Sequence, residues 1–455
     1  MRIHVENLGP VKRASWDLRK LNVLAGPNSS GKTYLAHAVY AALKATAWPN
    51  SVSFISPVDD SVTQAMTEEL SAVGRSSVKL SELADFFDLS FKAALEAGLR
   101  GMYRGISGES IRLVPEEGEL LGIALQRIRS GPYIPGINFG NFSLNLQTND
   151  ADDPDITLTK QSNRLDTEQP GNDGSAEAEE YMCGRVQQFL GLLAPWPSQM
   201  PYVLTSERVG LYTFQSDIDY GRSEMVEKFR VTNGGSAAEL STTPWPSAVE
   251  DNLDQFRRLQ DKNHRAFMKP VPEAGKMIDL IHLMSGGQFH FEDGSYTFAP
   301  KDSDVHLPMS STSSTARSLF ELAEFVTWHA QPGAWIVIDE PELNLHPDNQ
   351  VLMARLLAHL VDAEVSVFLT THSDYLLREL SILTVLNSKE EWPEEYQGAA
   401  SLNPDDIRVG YTELQNGVSS LKAAEVSPLK GIHTPFFDGT IARQNRLFDE
   451  VVWGG

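Results

Sequence analysis

Short apolar segments alternate along this chain with longer segments in which apolar residues recur at helical spacing. Residues 21–25, 335–338 and 365–369 are almost wholly apolar, which is typical of strands buried on both faces of a sheet. Residues 34–44 and 349–361 carry their apolar side chains on one side of a helix. Because strands that alternate with helices connect through crossovers, the pattern predicts an α/β fold with a parallel sheet.

The middle of the chain departs from this alternation. Between residues 50 and 199 the spacing favours helices, apart from a strand at 139–146 and a polar stretch at 161–180 that predicts a mobile loop. Residues 288–291 and 295–298, joined by an Asp-Gly turn, predict a β-hairpin. The predicted segments are a core part at 1–49, a mainly helical insertion at 50–199, a strand returning to the core at 200–222, a helical subdomain at 223–287 and a second core part at 288–455.

The composition is that of a water-soluble globular protein, with 41% apolar and 22% charged residues. A length of 455 residues favours several domains or one domain with a large insertion. The net charge of −23 disfavours nucleic-acid binding unless the basic residues lie together on one face. The single cysteine, Cys183, excludes an internal disulfide, and no apolar run reaches the ~18 residues that span a bilayer. Since the N-terminus does not resemble a leader, we expect a cytoplasmic protein that contacts no membrane.

A glycine-rich turn joins the first apolar strand to the helix that follows it. Residues 26–33 match the phosphate-binding pattern G-x-x-x-x-G-K-[ST]. Small residues let consecutive backbone N–H groups surround phosphates, and the helix N-terminus points at the anion. We expect Lys32 to reach the β- and γ-phosphates and the Thr33 hydroxyl to ligate Mg²⁺. The predicted nucleotide-binding residues of this turn are Gly26, Pro27, Asn28, Ser29, Ser30, Gly31, Lys32 and Thr33.

Two adjacent acids end the apolar strand at 335–338. We expect Asp339 to hold Mg²⁺, directly or through water, and Glu340 to act as general base toward the attacking water. Two carboxylates at a buried strand end are costly unless a cation or another partner compensates for them. His372 follows the next apolar strand, at the sheet edge where ligands of α/β proteins collect. A lone histidine is more often structural, but this position favours a contact with the γ-phosphate.

These motifs, in this order, resemble the ABC-type AAA-family ATPases related to the OLD (overcoming lysogenization defect) proteins, and more distantly RecF and the SMC heads. Residues 7–10 and 26–33 look like the opening of that family, and residues 338–347 look like its Walker B strand and D-loop. Residues 370–377 resemble its histidine switch, and residues 205–208 its strand after the helical insertion. The resemblance implies an ABC-type P-loop NTPase with a mainly parallel core sheet, an antiparallel β subdomain and a helical insertion.

An ATPase of this type also needs a signature motif, which contacts the γ-phosphate bound to a second subunit. Residues 284–288 contain a Ser-Gly-Gly-Gln string, but they lie far ahead of the acidic strand end and lead into the hairpin, so we interpret them as a turn. Residues 310–315 lie at the expected distance and open a helix, where hydroxyls and free N–H groups suit an anion. Ser313 and Ser314 are the predicted signature residues, and an ordinary N-cap is the alternative. The family usually has glycine in place of Thr315, whose β-branch is expected to hinder close phosphate approach.

The resemblance implies a homodimer or higher homo-oligomer whose subunits enclose ATP and Mg²⁺, with the signature acting in trans. ATP would favour the closed state and hydrolysis would release it. The nuclease domain of full OLD proteins is not recognised after His372, so the first hypothesis is the ATPase and sensor subunit of a bacterial antiphage system. It would control a separate effector, such as a TOPRIM or HNH nuclease, in response to a phage protein or DNA. The alternatives are a RecF-like or SMC-like DNA-repair or DNA-tethering ATPase and a nucleotide-gated scaffold. Gln215 is the candidate Q-loop residue.

Overall fold

The computed structural model of the chain describes residues 1–47, 60–102, 111–116, 119–129, 137–138, 142–149, 151–162, 176–191, 200–231, 246–259, 271, 274–292, 295–415, 418–433 and 435–453. The chain divides into two compact units. Unit 1 comprises Met1–Ile3, Ala42–Gly101 and Ser107–Met200, which includes most of the predicted insertion. Unit 2 comprises His4–Ala41, Met102–Ile106 and Pro201–Gly455.

The main sheet of unit 2 is parallel at its centre. Its strands are β1 (Arg2–Leu8), β2 (Val11–Asp17), β3 (Leu21–Ala25), β9 (Tyr202–Leu204), β13 (Trp335–Asp339), β14 (Ser366–Thr371), β15 (Ile407–Gln415) and β16 (Val418–Ala423). They lie in the order β1-β2-β16-β15-β3-β14-β13-β9. The strands from β15 to β9 run parallel to one another, and β16 is antiparallel to β15.

Unit 2 also contains eight helices in the described part of the chain, several of which pack on this sheet. They are α1 (Lys32–Ala45), α6 (Arg208–Val231), α7 (Ser247–Leu259), α8 (Ala274–Ser285), α9 (Ser314–Trp328), α10 (Pro347–Asp362), α11 (Asp374–Leu386) and α12 (Pro435–Trp453). A core cluster of buried residues combines β3, β13 and β14 with α8, α9, α10 and α11. Every residue of β3 is buried, as expected of a strand covered on both faces. The predicted fold class, an α/β protein with a mainly parallel core sheet, is confirmed.

The register of the central strands brings distant segments to one sheet edge. In the parallel pair β3–β14, Ala25 lies opposite Thr371. In the parallel pair β14–β13, Thr370 lies opposite Asp339. Parallel strands share the edge at which their carboxyl ends lie, so the turn after β3 and the acids after β13 meet there.

A small antiparallel sheet follows α8 in unit 2. It consists of β10 (Gly287–Glu292), β11 (Ser295–Pro300) and β12 (Leu307–Pro308). Gly286 has a φ of 72°, and a Cβ on Gly287 would lie 2.2 Å from the Ala299 carbonyl oxygen. Gly286 therefore forms the turn into β10, and Gly287 begins the strand. This confirms that the Ser-Gly-Gly string is a turn into the hairpin, and β10 and β11 pair as predicted. The remaining two-stranded sheet pairs β17 (Glu425–Ser427) with β18 (Gly431–His433).

Unit 1 combines helices with a four-stranded antiparallel sheet. Its helices are α2 (Ser61–Val73), α3 (Ala84–Met102), α4 (Glu119–Arg129) and α5 (Ala176–Leu190), and its strands are β4 (Arg75–Lys79), β5 (Ile111–Val114), β6 (Ile137–Asn138), β7 (Phe142–Gln147) and β8 (Asp155–Ser162). The four-stranded sheet has the order β4-β8-β7-β6 and does not include β5. Of these strands only β7 was predicted, as a strand at 139–146. Of the predicted mobile loop at 161–180, residues 163–175 lie outside the described part of the chain. The prediction is wrong at its two ends, since residues 161–162 belong to β8 and residues 176–180 to α5.

Two further features bear on the predicted organisation. α6 begins at Arg208, so the predicted boundary between residues 222 and 223 falls within this helix. Within the described ranges, none of the helices combines the length and the apolar character required to cross a bilayer.

Buried polar side chains connect β9 to α7 and α9. The Asn252 Oδ1 atom accepts hydrogen bonds from the Thr205 backbone N–H and hydroxyl, at 3.0 and 3.1 Å. Its Nδ2 atom donates to Glu321 Oε2 at 2.5 Å, and Glu321 is fully buried. Burial raises the pKa of Glu321 to about 8, and neighbouring polar groups offset this effect only in part. The carboxyl group is therefore protonated in the folded protein at neutral pH.

This raised pKa makes stability depend on pH. Between pH 4.5 and about 8 the folded state holds a proton on Glu321 that the unfolded state releases, so the contribution present below pH 4.5 is lost as the pH rises toward 8. Glu321→Gln removes this titration. We expect the stability of the variant relative to wild type to increase by about 2 kcal/mol from pH 5.5 to 7.5, measured by urea unfolding. Glu364→Gln, at an exposed site, should show a constant difference; equal slopes for all three proteins would refute the prediction.

Candidate nucleotide-binding site

The loop predicted to bind phosphates connects the end of β3 to the start of α1. Gly26 and Gly31 have positive φ angles of 145° and 88°, which L side chains rarely adopt. A Cβ on Gly26 would lie 2.2 Å from Thr412 Oγ1, and a Cβ on Gly31 would lie 2.7 Å from Val11 Cγ2. Both positions therefore require glycine for backbone conformation and for space.

Hydroxyl groups on strands β15 and β16 contact this loop. The Ser30 hydroxyl donates to the Pro27 carbonyl at 2.7 Å and lies 2.5 Å from Thr412 Oγ1 on β15. The Ser419 hydroxyl on β16 donates to the Ser30 carbonyl at 2.6 Å. Sequence analysis did not identify Thr412 and Ser419, because no local motif surrounds them. The exposed tip of the loop consists of Pro27, Asn28 and Ser29.

Lys32 is the first residue of α1, and its side chain turns back toward the loop. Its Nζ atom donates to the carbonyls of Gly26 and Pro27, at 3.0 and 2.9 Å, and the residue is buried. Burial lowers the pKa of the ammonium group, whereas the carboxylates of Glu340 and Asp339 act in the opposite direction. The cation therefore lies in the field of both the loop carbonyls and the acidic strand end.

A direct hydrogen bond connects this loop to the acidic strand end. The Thr33 hydroxyl donates to Asp339 Oδ2 at 2.9 Å, although 306 positions separate the two residues in the sequence. The other carboxylate oxygen, Oδ1, accepts a hydrogen bond from the Thr370 hydroxyl. The Thr370 oxygen also accepts a hydrogen bond from the Glu340 backbone N–H at 3.1 Å. Lys32 and Asp339, predicted to serve one bound nucleotide, are thus at the same sheet edge.

The two predicted catalytic side chains face each other beyond these strand ends. His372 Nδ1 lies 3.4 Å from Glu340 Oε1 and 3.5 Å from Glu342 Oε1. Glu342 is buried, and its Oε1 accepts hydrogen bonds from the Thr371 hydroxyl and the His372 backbone N–H, both at 2.7 Å. Burial raises the pKa of Glu342 despite these bonds. Glu342 therefore lies beside the predicted catalytic side chains, Glu340 and His372.

The predicted signature segment opens helix α9. Ser313 is the N-cap, and its hydroxyl accepts a hydrogen bond from the Ala316 backbone N–H at 3.1 Å. Ser314 is exposed in the first turn. The Thr315 hydroxyl donates to the Asn344 carbonyl in the predicted D-loop at 2.8 Å. An N-cap role for Ser313 is thus observed, and contact with a nucleotide remains a prediction for Ser313 and Ser314. Gln215 lies in α6, and its Q-loop role also remains a prediction.

The side chains at this edge fit a magnesium-bound triphosphate. A hydroxyl and a carboxylate are hard oxygen donors, which Mg²⁺ prefers. The 2.9 Å between Thr33 Oγ1 and Asp339 Oδ2 is about the separation of adjacent oxygens on an octahedral ion with bonds of ~2.1 Å. The glycine loop and Lys32 supply N–H groups and positive charge for phosphates. Thr33 and Asp339 are therefore the residues that would hold the metal.

Comparison with known protein families gives a match to part of the chain. Residues 222–377, less than half of the chain, match the family model described as AAA ATPase domain. A comparison with curated proteins gave no match. Together with the P-loop fold, the family match supports an ABC-type ATPase.

Several solved structures are similar across most of their length but at low scores. The Smc head domain with an extended coiled coil bound to the C-terminal domain of ScpA, from Pyrococcus furiosus, has a TM-score of 0.35 and 10% identity, with 98% of each chain covered. The SmcHead bound to the C-winged helix domain of ScpA has a TM-score of 0.35 and 10% identity, covering 93% of this chain and 96% of that one. The SMC head domain from Thermotoga maritima has a TM-score of 0.32 and 11% identity, covering 93% and 98%.

The close approach at Gly26 generates a test of the loop. Gly26→Ala places a methyl group against Thr412 Oγ1 at a strained φ, so we expect a loss of about 2 kcal/mol in stability and loss of nucleotide binding. Gly275→Ala is the matched control, because a Cβ at this helical position meets no atom within 4 Å. Thermal melting and titration with a fluorescent ATP analogue measure both effects. Wild-type affinity in Gly26→Ala would contradict this account of the loop.

Proposed function

We propose that this chain is an ABC-type ATPase that closes around ATP and Mg²⁺ as a homodimer or higher homo-oligomer. The observation that carries the proposal is the hydrogen bond between Thr33 and Asp339, which joins the phosphate loop to the acidic strand end. Lys32 lies buried at the same edge, so cation, hydroxyl and carboxylate converge where a triphosphate and its metal would bind. This convergence is the arrangement that nucleotide hydrolysis requires.

Each group has a distinct role in this proposal. The loop N–H groups and Lys32 bind the phosphates. Thr33 and Asp339 would hold Mg²⁺, which would supply positive charge to the phosphate oxygens. Glu340 accepts a proton from the attacking water, and His372 orients Glu340 and contacts the γ-phosphate. Ser313 and Ser314 contact the nucleotide of the partner subunit. ATP binding thereby favours the closed state.

We further propose that ATP-driven closure controls a separate effector protein, such as a TOPRIM or HNH nuclease, in antiphage defence. Among the described residues, no group of three or more His, Cys, Asp or Glu side chains is arranged to hold a metal ion. In this proposal the separate effector supplies the nuclease chemistry. A phage protein or DNA would serve as the trigger. A cytoplasmic location remains a prediction.

The central test is Glu340→Gln. Removing the general base should lower ATP turnover by about 10²-fold or more while ATP binding persists, so the variant should accumulate as an ATP-dependent assembly. Phosphate release and light scattering with and without Mg²⁺–ATP measure the two effects. Glu425→Gln, at an exposed carboxylate, is the control that should retain turnover. Undiminished turnover in Glu340→Gln would show that another group acts as base.

The biological hypotheses differ in what the ATP-bound protein binds, which is an effector protein in one case and duplex DNA in the other. An effector-controlling ATPase should co-purify with the product of a neighbouring open reading frame when both are expressed together. A DNA-repair or DNA-tethering ATPase should bind duplex DNA in an ATP-stimulated, salt-sensitive way. With a net charge of −23, we expect the first result. DNA binding that weakens steeply with salt would favour the RecF-like alternative instead.

A further inference from the structure

Arg208 lies beneath the proposed catalytic edge, and its guanidinium group binds backbone carbonyls of three separate elements. Its Nη1 atom donates to the Thr205 and Asp339 carbonyls, each at 2.9 Å. Its Nη2 atom donates to the Glu340 carbonyl at 2.9 Å, and its Nε atom donates to the Ser318 carbonyl at 3.2 Å. The fixed geometry of one guanidinium therefore sets the relative positions of β9, the acidic strand end and α9.

Burying the charged guanidinium group of Arg208 costs free energy, so its presence at this position needs an explanation. Arg208 is only 2% exposed, and burial lowers the pKa of its guanidinium group. A buried cation loses its hydration, and carbonyl oxygens compensate for it less completely than a bonded carboxylate would. A neutral side chain of similar length would avoid this loss if the position served packing alone. The cation is therefore best explained by the carbonyls that it holds.

One of these carbonyls belongs to a residue with an unusual backbone. Glu340 has a φ of 53°, in the left-handed region that non-glycine residues rarely adopt. Its carbonyl is bound by Arg208, and its N–H is bound by Thr370. Both peptide groups that flank Glu340 are thus fixed. Because the backbone sets the direction of the side chain, these two bonds position the Glu340 carboxylate.

A second carbonyl belongs to the helix that carries the predicted signature. Ser318 lies in the second turn of α9, and its hydroxyl donates to the Thr315 carbonyl at 2.9 Å. Thr315 in turn follows Ser313 and Ser314, so a rigid helical turn separates them from the carbonyl that Arg208 holds. A displacement of α9 would therefore change the Arg208 bonds and the peptide of Glu340.

We propose that Arg208 is a positioning residue that couples the start of α9 to Glu340, so that the general base is aligned only when the signature helix is in place. The proposal rests on the function proposed above and adds a physical route from the trans contact to the cis site. Arg208 itself does not touch the nucleotide. Its loss should therefore change the rate of hydrolysis and leave ATP affinity nearly unchanged.

Two substitutions in the full chain test this coupling. Arg208→Lys keeps the charge but concentrates its donors at one atom, and Arg208→Met keeps an unbranched stem without donors. In both variants we expect turnover to fall about 30-fold or more, since a small misplacement of a catalytic group has effects of this size. The dissociation constant for Mg²⁺–ATP should stay within about threefold of wild type. Arg355→Lys is the control, because Arg355 pairs with Glu379 away from the site.

The outcomes separate the coupling from the function on which it rests. Wild-type protein that neither binds nor hydrolyses ATP would defeat the proposed function itself. If wild type is active, turnover within threefold of wild type in Arg208→Lys would overturn the coupling. So would a parallel loss of folding and ATP binding in both variants, because that result indicates a structural role only. Arg355→Lys should lower the melting temperature and keep wild-type turnover.

Discussion

The hydrogen bond between Thr33 and Asp339 depends on the register of three parallel strands. β14 lies between β3 and β13, and a shift of one residue in either pair would turn the Asp339 side chain to the other face of the sheet. Apolar strands define register weakly, because nearly every position is buried. Asn22, fully buried in β3, supplies a polar constraint, since its Nδ2 donates to the Val367 carbonyl on β14 at 3.1 Å. Its Oδ1 accepts from Trp16 Nε1 and its Nδ2 also donates to the Arg19 carbonyl, so another register would cost the amide only its bond to β14.

The carboxylates at this edge are held mainly by hydroxyl groups. The hydroxyls of Thr33 and Thr370 bind the two oxygens of Asp339, and the hydroxyl of Thr371 binds Glu342. Hydroxyls orient a carboxylate without neutralising its charge, so the edge keeps a negative field that opposes the loss of charge on buried Lys32. Such an edge suits a divalent cation between the carboxylates and a polyphosphate.

Local sequence patterns were sufficient to predict the elements that carry motifs. An apolar run followed by a glycine turn identified β3 and the loop, and a run ending in acids identified Asp339 and Glu340. Thr412 was missed because β15 joins the sheet beside β3 through pairing that no local periodicity encodes. Sequence analysis included Arg208 only within the motif at 205–208. Its contacts could not be predicted, because they are made with carbonyls of residues distant in sequence.

Thr315 stands where the resembled family usually has glycine in its signature motif, and its contacts in the structure give it a different role. From sequence, its β-branch predicted hindrance at the phosphate. In the structure its hydroxyl donates to the Asn344 carbonyl, and Asn344 adopts a left-handed φ of 63°. The same helix start therefore binds the predicted D-loop segment through Thr315 and the Glu340 peptide through Ser318 and Arg208. A glycine would lack the first bond, so the threonine joins α9 to the segment after β13 more firmly. Replacing glycine here thus exchanges close approach to a ligand for a fixed connection within the chain.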